Sequence, residues 1–150
     1  PPPISTLFPS TTLFRSYLYS GGDDYLISYL VFKQGKVVWV DFGENVGFEF
    51  SGIHPALIIG RPENRMLTVL PIVNMNASER NPEVVIIDIK NDSEKFGVAL
   101  INEIKNISIY RIDRSKASMN ISVSDFNRTL DRIKEFYSDM FSNSKTPYFI

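Results

Sequence analysis

His54 is the single histidine of this chain, and it follows a glycine-rich segment that runs from Gly43 to Gly52. Imidazole is the one side chain that ordinarily gains or loses a proton near neutral pH, so His54 is a candidate for acid–base chemistry. Its position supports this interpretation, because loops on a rigid scaffold often carry functional groups. On the sequence alone, a structural or surface role for His54 is favoured over catalysis.

Three neutral polar residues follow the third apolar run of the chain, and they are Asn74, Asn76 and Ser78. Their amide and hydroxyl groups donate and accept hydrogen bonds without carrying a charge. They are therefore candidate hydrogen-bonding groups of a site. Simple turn formation is the alternative, because Asn and Ser are common turn residues.

The composition excludes several other kinds of site. The chain has no cysteine, which rules out disulfides, a cysteine-type zinc site and a thiol nucleophile. Gly47 and Gly52 have the spacing of a phosphate-binding loop, but the lysine and hydroxyl residues that such a loop needs next are Ile53 and His54. The carboxylates are scattered, so we expect neither a metal ion nor a cofactor. A net charge of −1 argues against a strongly basic nucleic-acid-binding module.

The candidate residues must be positioned by a fold that is rich in short strands. With 150 residues, 43 % of them hydrophobic, the chain is long enough for one folded domain. Runs of β-branched and aromatic residues between turn residues predict six strands. They cover Lys36–Phe42, Pro55–Gly60, Met66–Val73, Glu83–Ile89, Val98–Ile101 and Ile104–Ile112, with a long hairpin loop at Gly43–Gly52 and a polar turn at Arg61–Arg65.

One helix is predicted late in the sequence. Apolar residues recur there at spacings of three and four, on a helical face that we expect to be core: Val123, Phe126, Leu130, Ile133, Tyr137 and Met140. Ser122 or Ser124 can cap its start. We therefore predict a mainly β (α+β) fold, a small barrel or strongly bent antiparallel sheet with a C-terminal helix on one side. No run of about 18 apolar residues occurs, so we expect no membrane span.

Residues 1–16 are set apart by their composition, because they hold four of the nine prolines and show no periodicity. They lack the basic start and the continuous apolar stretch of a signal peptide. The segment Thr6–Ser16 resembles the translation of a common sequencing adapter, from which it departs at Ser10. We interpret residues 1–16 as a disordered, non-native artefact, with a natural disordered arm as the alternative. Residues 17–150 are then the single domain.

Val37–Ile59 resembles the opening hairpin of the MazF/PemK family, small toxins of bacterial toxin–antitoxin pairs. The positions that fit the family pattern are Asp41, Phe42, Gly47, Glu49, Gly52, Pro55 and Ala56. Two later segments fit in the same order. Leu67–Ile72 is similar to the family's third strand, and Val98–Arg111 is similar to its late apolar segment with a basic residue at the end. The resemblance spans residues 34–140.

The resemblance implies an SH3-like barrel that forms a homodimer in the bacterial cytoplasm. It implies a metal-independent endoribonuclease that cuts single-stranded RNA, often mRNA, and that is neutralised by an antitoxin, together with which it binds DNA. His54 aligns with the family's catalytic Arg, and Val73 aligns with its catalytic Thr. The residues expected to carry catalysis are His54, Asn74 and Ser78, and those expected to contact RNA are Glu49, Gly52, Asn76 and Lys105.

The residues at positions 54 and 73 depart from the family pattern and leave the activity open. Arg is a fixed cation that grips phosphate through two hydrogen bonds, whereas His does so only when protonated. His can instead act as a general acid or base. Val73 offers no hydroxyl. Two alternatives therefore stand beside the ribonuclease: a non-enzymatic, CcdB-like toxin that binds DNA gyrase through the same barrel, and a degenerate family member that binds only its antitoxin.

Overall fold

A computed structural model of the protein describes residues 32–47, 49–63, 65–74, 83–88 and 96–142. In these ranges the chain forms seven strands, one long helix and two short 3₁₀ helices. The strands are β1 (Lys36–Asp41), β2 (Ile53–Glu63), β3 (Met66–Val73), β4 (Val84–Asp88), β5 (Phe96–Leu100), β6 (Lys105–Ser108) and β7 (Met119–Asn120). The helix α1 is Val123–Ser142, and the 3₁₀ helices are Ile101–Glu103 and Ile109–Arg111. The predicted non-native segment 1–16 lies outside the described residues.

The strands form one antiparallel sheet in the order β4-β5-β3-β2-β1-β7, and β6 pairs with β3 beside this path. The strand β3 has two partners on one side, because its first half pairs with β6 and its end pairs with β5 at Ile72 and Val73. The register between β2 and β3 also shifts near Gly60, and such bulges increase the local twist. The sheet therefore curls into a half-barrel. This confirms the predicted mainly β (α+β) architecture, a strongly bent antiparallel sheet with a C-terminal helix.

Both faces of the curled sheet are buried, which explains why its strands are apolar almost throughout. Side chains alternate along β1, so that Val38 and Val40 lie on the inner face of the curl and Val37 on the outer face. The inner core consists of Phe32, Val38, Val40, Phe42, Ala56, Ile58, Leu67, Val69, Ile107, Ile109 and Ile112. The second core lies between the outer face and α1, whose Phe126, Ile133, Phe136 and Tyr137 pack against it.

The helix α1 begins where the sequence predicts. Ser122 is the cap, since its hydroxyl oxygen accepts a hydrogen bond of 3.0 Å from the backbone amide of Asp125. The predicted apolar face is wrong at both of its ends, because Val123 is 77 % exposed and Met140 is 46 % exposed. The helix contacts the sheet through its middle turns. Phe136 also packs against the sheet there, although it is not one of the regularly spaced apolar residues.

Two further sequence predictions are corrected by the structure, and one short strand is not predicted at all. The predicted turn Arg61–Arg65 is shorter, because β2 continues to Glu63 after the register shifts that follow Ile58. The predicted strand Ile104–Ile112 ends as β6 at Ser108. The Ser108 hydroxyl accepts a hydrogen bond from the backbone amide of Tyr110, and this bond caps the 3₁₀ helix that follows. The two-residue strand β7 is not predicted, because its pairing with Lys36 and Val37 comes from a distant part of the chain.

Within the described ranges, no helix is both long and apolar enough to cross a membrane.

Candidate active site

The candidate site lies at one end of the sheet, where β1 ends at Asp41, β2 begins at Ile53 and β3 ends at Val73. Antiparallel pairing brings these three strand ends together, and we call this place the loop end of the sheet. His54 lies here, inside β2 and opposite Val40 of β1. The predicted position of His54 ahead of the strand is therefore corrected, because β2 begins two residues earlier than Pro55.

The register places His54 and Val73 on the same face of neighbouring strands. Ala56 of β2 pairs with Pro71 of β3, and Ala56 belongs to the inner core. Side chains two residues apart along a strand point to the same face. His54 and Val73 each lie two residues from this pair toward the loop end, so both lie on the inner face. The register thus places the two positions that the family resemblance aligns with catalytic residues on one face at the loop end, beyond the last paired residues of β2 and β3.

An aromatic stack holds the imidazole of His54. The ring of Phe50 lies 4.6 Å from the imidazole, centroid to centroid, at an interplanar angle of 54°. The ring of Phe42 meets Phe50 edge to face at 5.1 Å and 88°. Phe42 is only 1 % exposed and belongs to the inner core, so the stack connects His54 to the barrel interior. Phe50 is not among the site residues predicted from the sequence. The feature that could have indicated it is an aromatic residue near the end of a glycine-rich loop.

The loop between β1 and β2 is closed by hydrogen bonds at its base. The amide of Phe42 donates to the carbonyl of Gly52 at 2.8 Å, and the amide of Gly52 donates to the carbonyl of Gly43 at 2.9 Å. The side-chain amide of Asn45 donates to the carbonyl oxygens of Phe42 at 3.0 Å and of Phe50 at 2.6 Å. The loop is therefore built around Asn45, a residue that the sequence analysis does not single out.

Gly52 has a role that only glycine fills easily. Its φ is +91°, in the left-handed region that side chains disfavour. A Cβ atom at this position would also lie 3.4 Å from Nε2 of His54. The backbone conformation at position 52 therefore favours glycine, and the RNA contact predicted for Gly52 stays a prediction.

Of the other predicted site residues, Asn74 and Glu49 lie near the loop end, whereas Lys105 does not. Asn74 is exposed and directly follows β3, so it lies at the loop end. Glu49 is exposed in the loop next to Phe50, and its backbone amide donates to the carbonyl of Val46. Lys105 pairs with Val69 on the side of β3 away from β2, four residues before the end of β3. The strand register does not bring Lys105 to His54.

Asn76 and Ser78 lie outside the described residues. Their predicted roles in RNA contact and in catalysis stay predictions.

A fixed positive charge lies at the root of the loop. Nη1 of Arg111 donates a hydrogen bond of 3.1 Å to the carbonyl oxygen of Asp41, and a Cβ atom on Gly43 would lie 3.2 Å from the same nitrogen. The carboxylate of Asp41 accepts a hydrogen bond of 2.8 Å from the backbone amide of Gly43. Val40 pairs with His54 on one side and forms a bridge with Ile112 on the other, so Arg111 and His54 flank the end of β1. The sequence signal for Arg111 is the basic residue at the end of the late segment.

Two more cations lie along β1 and pack on aromatic rings. Nζ of Lys116 lies 4.0 Å from the centroid of the Trp39 ring, and the guanidinium of Arg114 lies 5.2 Å from that of Phe32. Burial lowers the pKa of Arg114 to about 10. Cations held in this way are stabilised by the negative face of the ring. Lys116 is therefore held against Trp39 of β1, and Arg114 against Phe32, which precedes β1.

The loop end combines an imidazole, a guanidinium and an exposed amide, which are groups that can transfer a proton and contact an anion. Among the described residues, no three His, Asp or Glu side chains are grouped so that they could hold a metal ion. Chemistry that the described side chains can perform at this end is proton transfer by His54 beside a charge fixed by Arg111.

The chain is similar to known proteins in sequence and in fold. The sequence model of a family described as PemK-like, MazF-like toxin of type II toxin–antitoxin system matches residues 33–137. No curated protein sequence matches the chain. The crystal structure of MazF (Form-I) from Deinococcus radiodurans superposes with a TM-score of 0.55 and 16 % identity, and the match covers 71 % of this chain and 96 % of that one.

Two further solved structures match less closely. An endoribonuclease in complex with its cognate antitoxin from a mycobacterial species has a TM-score of 0.49 and 12 % identity, with coverage of 68 % of this chain and 90 % of that one. MazE–MazF (Form-III) from Deinococcus radiodurans has a TM-score of 0.47 and 14 % identity, with coverage of 71 % and 95 %.

Proposed function

The chain belongs to the PemK-like, MazF-like family of toxins of type II toxin–antitoxin systems, and from this premise we propose that it is an endoribonuclease that cuts single-stranded RNA without a metal ion. The observation that carries the proposal is the position of His54, which lies on the inner face at the loop end beside Val73 and supplies a proton-transfer group where the family resemblance places a catalytic residue. We propose that a cognate antitoxin binds and neutralises it, since the family is one of toxins of type II toxin–antitoxin systems.

His54 takes part in a transesterification that needs only a proton acceptor and contacts to the phosphate. Neutral imidazole accepts the proton of the ribose 2′-hydroxyl. The 2′-oxygen then bonds to phosphorus, the bond from phosphorus to the 5′-oxygen breaks, and a proton from water neutralises the leaving oxygen. The products are a 2′,3′-cyclic phosphate and a 5′-hydroxyl.

Two other groups at the loop end assist this step in the proposal. The guanidinium of Arg111 remains charged at neutral pH, so it attracts the phosphate backbone whatever the protonation state of His54. The exposed amide of Asn74 can donate a hydrogen bond to a phosphate oxygen. Glu49, in the loop beside Phe50, faces the entrance to the site and limits which nucleotide enters.

The biological setting forms part of the same proposal. We infer a homodimer in the bacterial cytoplasm, where mRNA is present, and DNA binding only together with the antitoxin. The residues Asn76, Ser78 and Lys105 keep their proposed roles, the first and third in RNA contact and Ser78 in catalysis.

The experiment uses untagged protein and an end-labelled mRNA in buffer with a metal chelator. We expect the wild type to cut the RNA and to leave a cyclic phosphate, and His54→Ala to slow cutting at least about a hundredfold, the usual contribution of a general base. Lys134→Ala, on the exposed side of α1, is the matched control and should cut like the wild type. Intact RNA with the wild type, or equal rates for the wild type and His54→Ala, contradicts the proposal.

One observation favours a second candidate function. Val73 places an apolar side chain beside His54, where the family resemblance aligns a catalytic hydroxyl. A toxin that binds DNA gyrase without cutting RNA does not need that hydroxyl. Capture of purified gyrase by the wild type, together with intact RNA in the assay above, would select this function.

A further inference from the structure

We infer that Phe50 is a positioning residue, whose ring holds the imidazole of His54 in the orientation that exchanges a proton with RNA. This inference rests on the proposed function, because it concerns the residue that transfers the proton there. Phe50 has no group that can transfer a proton or bind a phosphate strongly. It acts only through His54.

The ring of Phe50 restricts the imidazole from one side. The two rings are 4.6 Å apart at an angle of 54°, which is within the range of favourable aromatic pairs. Phe50 also forms an edge-to-face pair with Phe42, at 5.1 Å and 88°. Because Phe42 is buried and Phe50 packs against the inner core, the core supports the ring that contacts the imidazole.

The base of the loop runs beside the imidazole on a second side. A Cβ atom built on Gly52 would lie in ordinary van der Waals contact with Nε2 of His54, at 3.4 Å. The side-chain amide of Asn45 donates to the carbonyl of Phe50 at 2.6 Å and to that of Phe42 at 3.0 Å. These bonds fix the backbone that carries the Phe50 ring.

This arrangement suits a histidine better than it suits an arginine. A guanidinium grips phosphate through several donors and keeps its charge, so it tolerates some motion. A general base must lie within hydrogen-bond distance of one particular proton. The stack with Phe50 therefore supplies the orientation that proton transfer by His54 requires.

The test exploits the single histidine of the chain, because every imidazole signal in an NMR spectrum of untagged protein then belongs to His54. We expect the ring current of Phe50 to shift the His54 ring-proton signals of the wild type. Phe50→Leu keeps the apolar bulk without the ring and should return these signals toward those of free imidazole. Phe50→Trp should keep them shifted.

RNA cleavage by the same proteins gives the second readout. We expect Phe50→Leu to lower kcat about twofold to tenfold, the range to which the loss of one aromatic pair corresponds, with KM nearly unchanged. Phe50→Trp should recover most of kcat. Val46→Ala is the matched control, because Val46 belongs to the same loop and is 81 % exposed.

Two results would overturn the inference while leaving the proposed function intact. One is a Phe50→Leu protein that cleaves like the wild type although His54→Ala does not. The other is a loss of kcat in Phe50→Leu without any change of the His54 signals. A wild type that leaves RNA intact overturns the proposed function itself, and the catalytic role of Phe50 with it.

Discussion

The helix α1 covers the edge of the sheet at β4 with two arginines, and this contact gives a prediction about stability. Nη2 of Arg128 donates to the carbonyl oxygen of Ile86, and Nη1 of Arg132 donates to that of Val84 at 3.3 Å. Four residues along a helix rise about 6 Å, and two residues along a strand advance about 6.8 Å. The spacing of the two guanidinium groups along the helix therefore matches the spacing of the carbonyl groups of Val84 and Ile86 along the edge strand.

The perturbation is the double substitution Arg128→Met and Arg132→Met, which keeps much of the apolar stem of each side chain. A hydrogen bond from a charged donor contributes about 1.5–3 kcal/mol when it is buried. The Arg128 side chain is 39 % exposed and the Arg132 bond is long, so we take about 1–1.5 kcal/mol for each. The free energy of unfolding should fall by about 2–3 kcal/mol. The ion pair of Arg128 with Asp125 adds little to this, because it is partly exposed.

The assay is urea denaturation of the wild type, the double variant and Lys134→Met, whose residue lies on the exposed side of α1. We expect the control to unfold like the wild type and the double variant to unfold at lower urea with the same slope. We also expect the double variant to scatter light at high protein concentration, because an uncovered strand edge pairs with other chains. A double variant as stable as Lys134→Met would refute the edge-covering role of the arginines.

Three further predictions address the loop, the site and the helix. Asn45→Asp replaces the donor that bridges two loop carbonyls with an acceptor, so the free energy of unfolding in urea should fall by about 2–3 kcal/mol; an unchanged midpoint would contradict this. Val73→Thr adds a hydroxyl beside His54 and should raise the RNA cleavage rate about tenfold; an unchanged rate would show that the two side chains do not share a substrate. Burial, and then the charge of Glu103, raise the pKa of Tyr137 above its usual 10.0. The stability that this neutral phenol contributes is complete below about pH 10 and is lost as pH rises through the folded pKa. The difference in melting temperature between the wild type and Tyr137→Phe should therefore shrink above about pH 10, and a constant difference would contradict the cause given for the shift.

The parts of the fold that local patterns specify are predictable from the sequence. The strand predicted at Lys36–Phe42 is β1, and the one predicted at Met66–Val73 is β3 with the same bounds. Glycines between β1 and β2 mark the connecting loop because three of them adopt positive φ there. Alternation and turn chemistry act within a few residues, so they are readable without knowledge of the rest of the chain.

The elements that the sequence does not predict depend on distant partners. β7 has only two residues, and its strand character comes from pairing with Lys36 and Val37. The end of β6 depends on a single hydroxyl, since Ser108 bonds the amide of Tyr110 and bends an apolar run that alternates like a strand. Such choices are decided by packing rather than by the local sequence pattern.

The candidate site likewise has residues that the sequence indicates and residues whose contacts depend on the fold. His54 is predictable because it is the single histidine and follows a glycine-rich loop. Phe50 and Asn45 lie in that loop, but their contacts with His54 and with the loop carbonyls follow from its folded path. Arg111 contacts Asp41 across 70 residues of sequence, a distance over which periodicity carries no information.

The positions of His54 and Arg111 on either side of β1 explain how a histidine can stand where the family resemblance aligns an arginine. Neighbouring strands are about 4.8 Å apart, so the backbones that flank β1 at Val40 are about 10 Å apart. This separation is short enough for one RNA strand to meet both side chains. An arginine combines a fixed charge and a phosphate grip in one group, and in the proposed reaction Arg111 supplies the charge instead. In that proposal residue 54 needs no permanent charge, and its imidazole, stacked on Phe50, exchanges the proton.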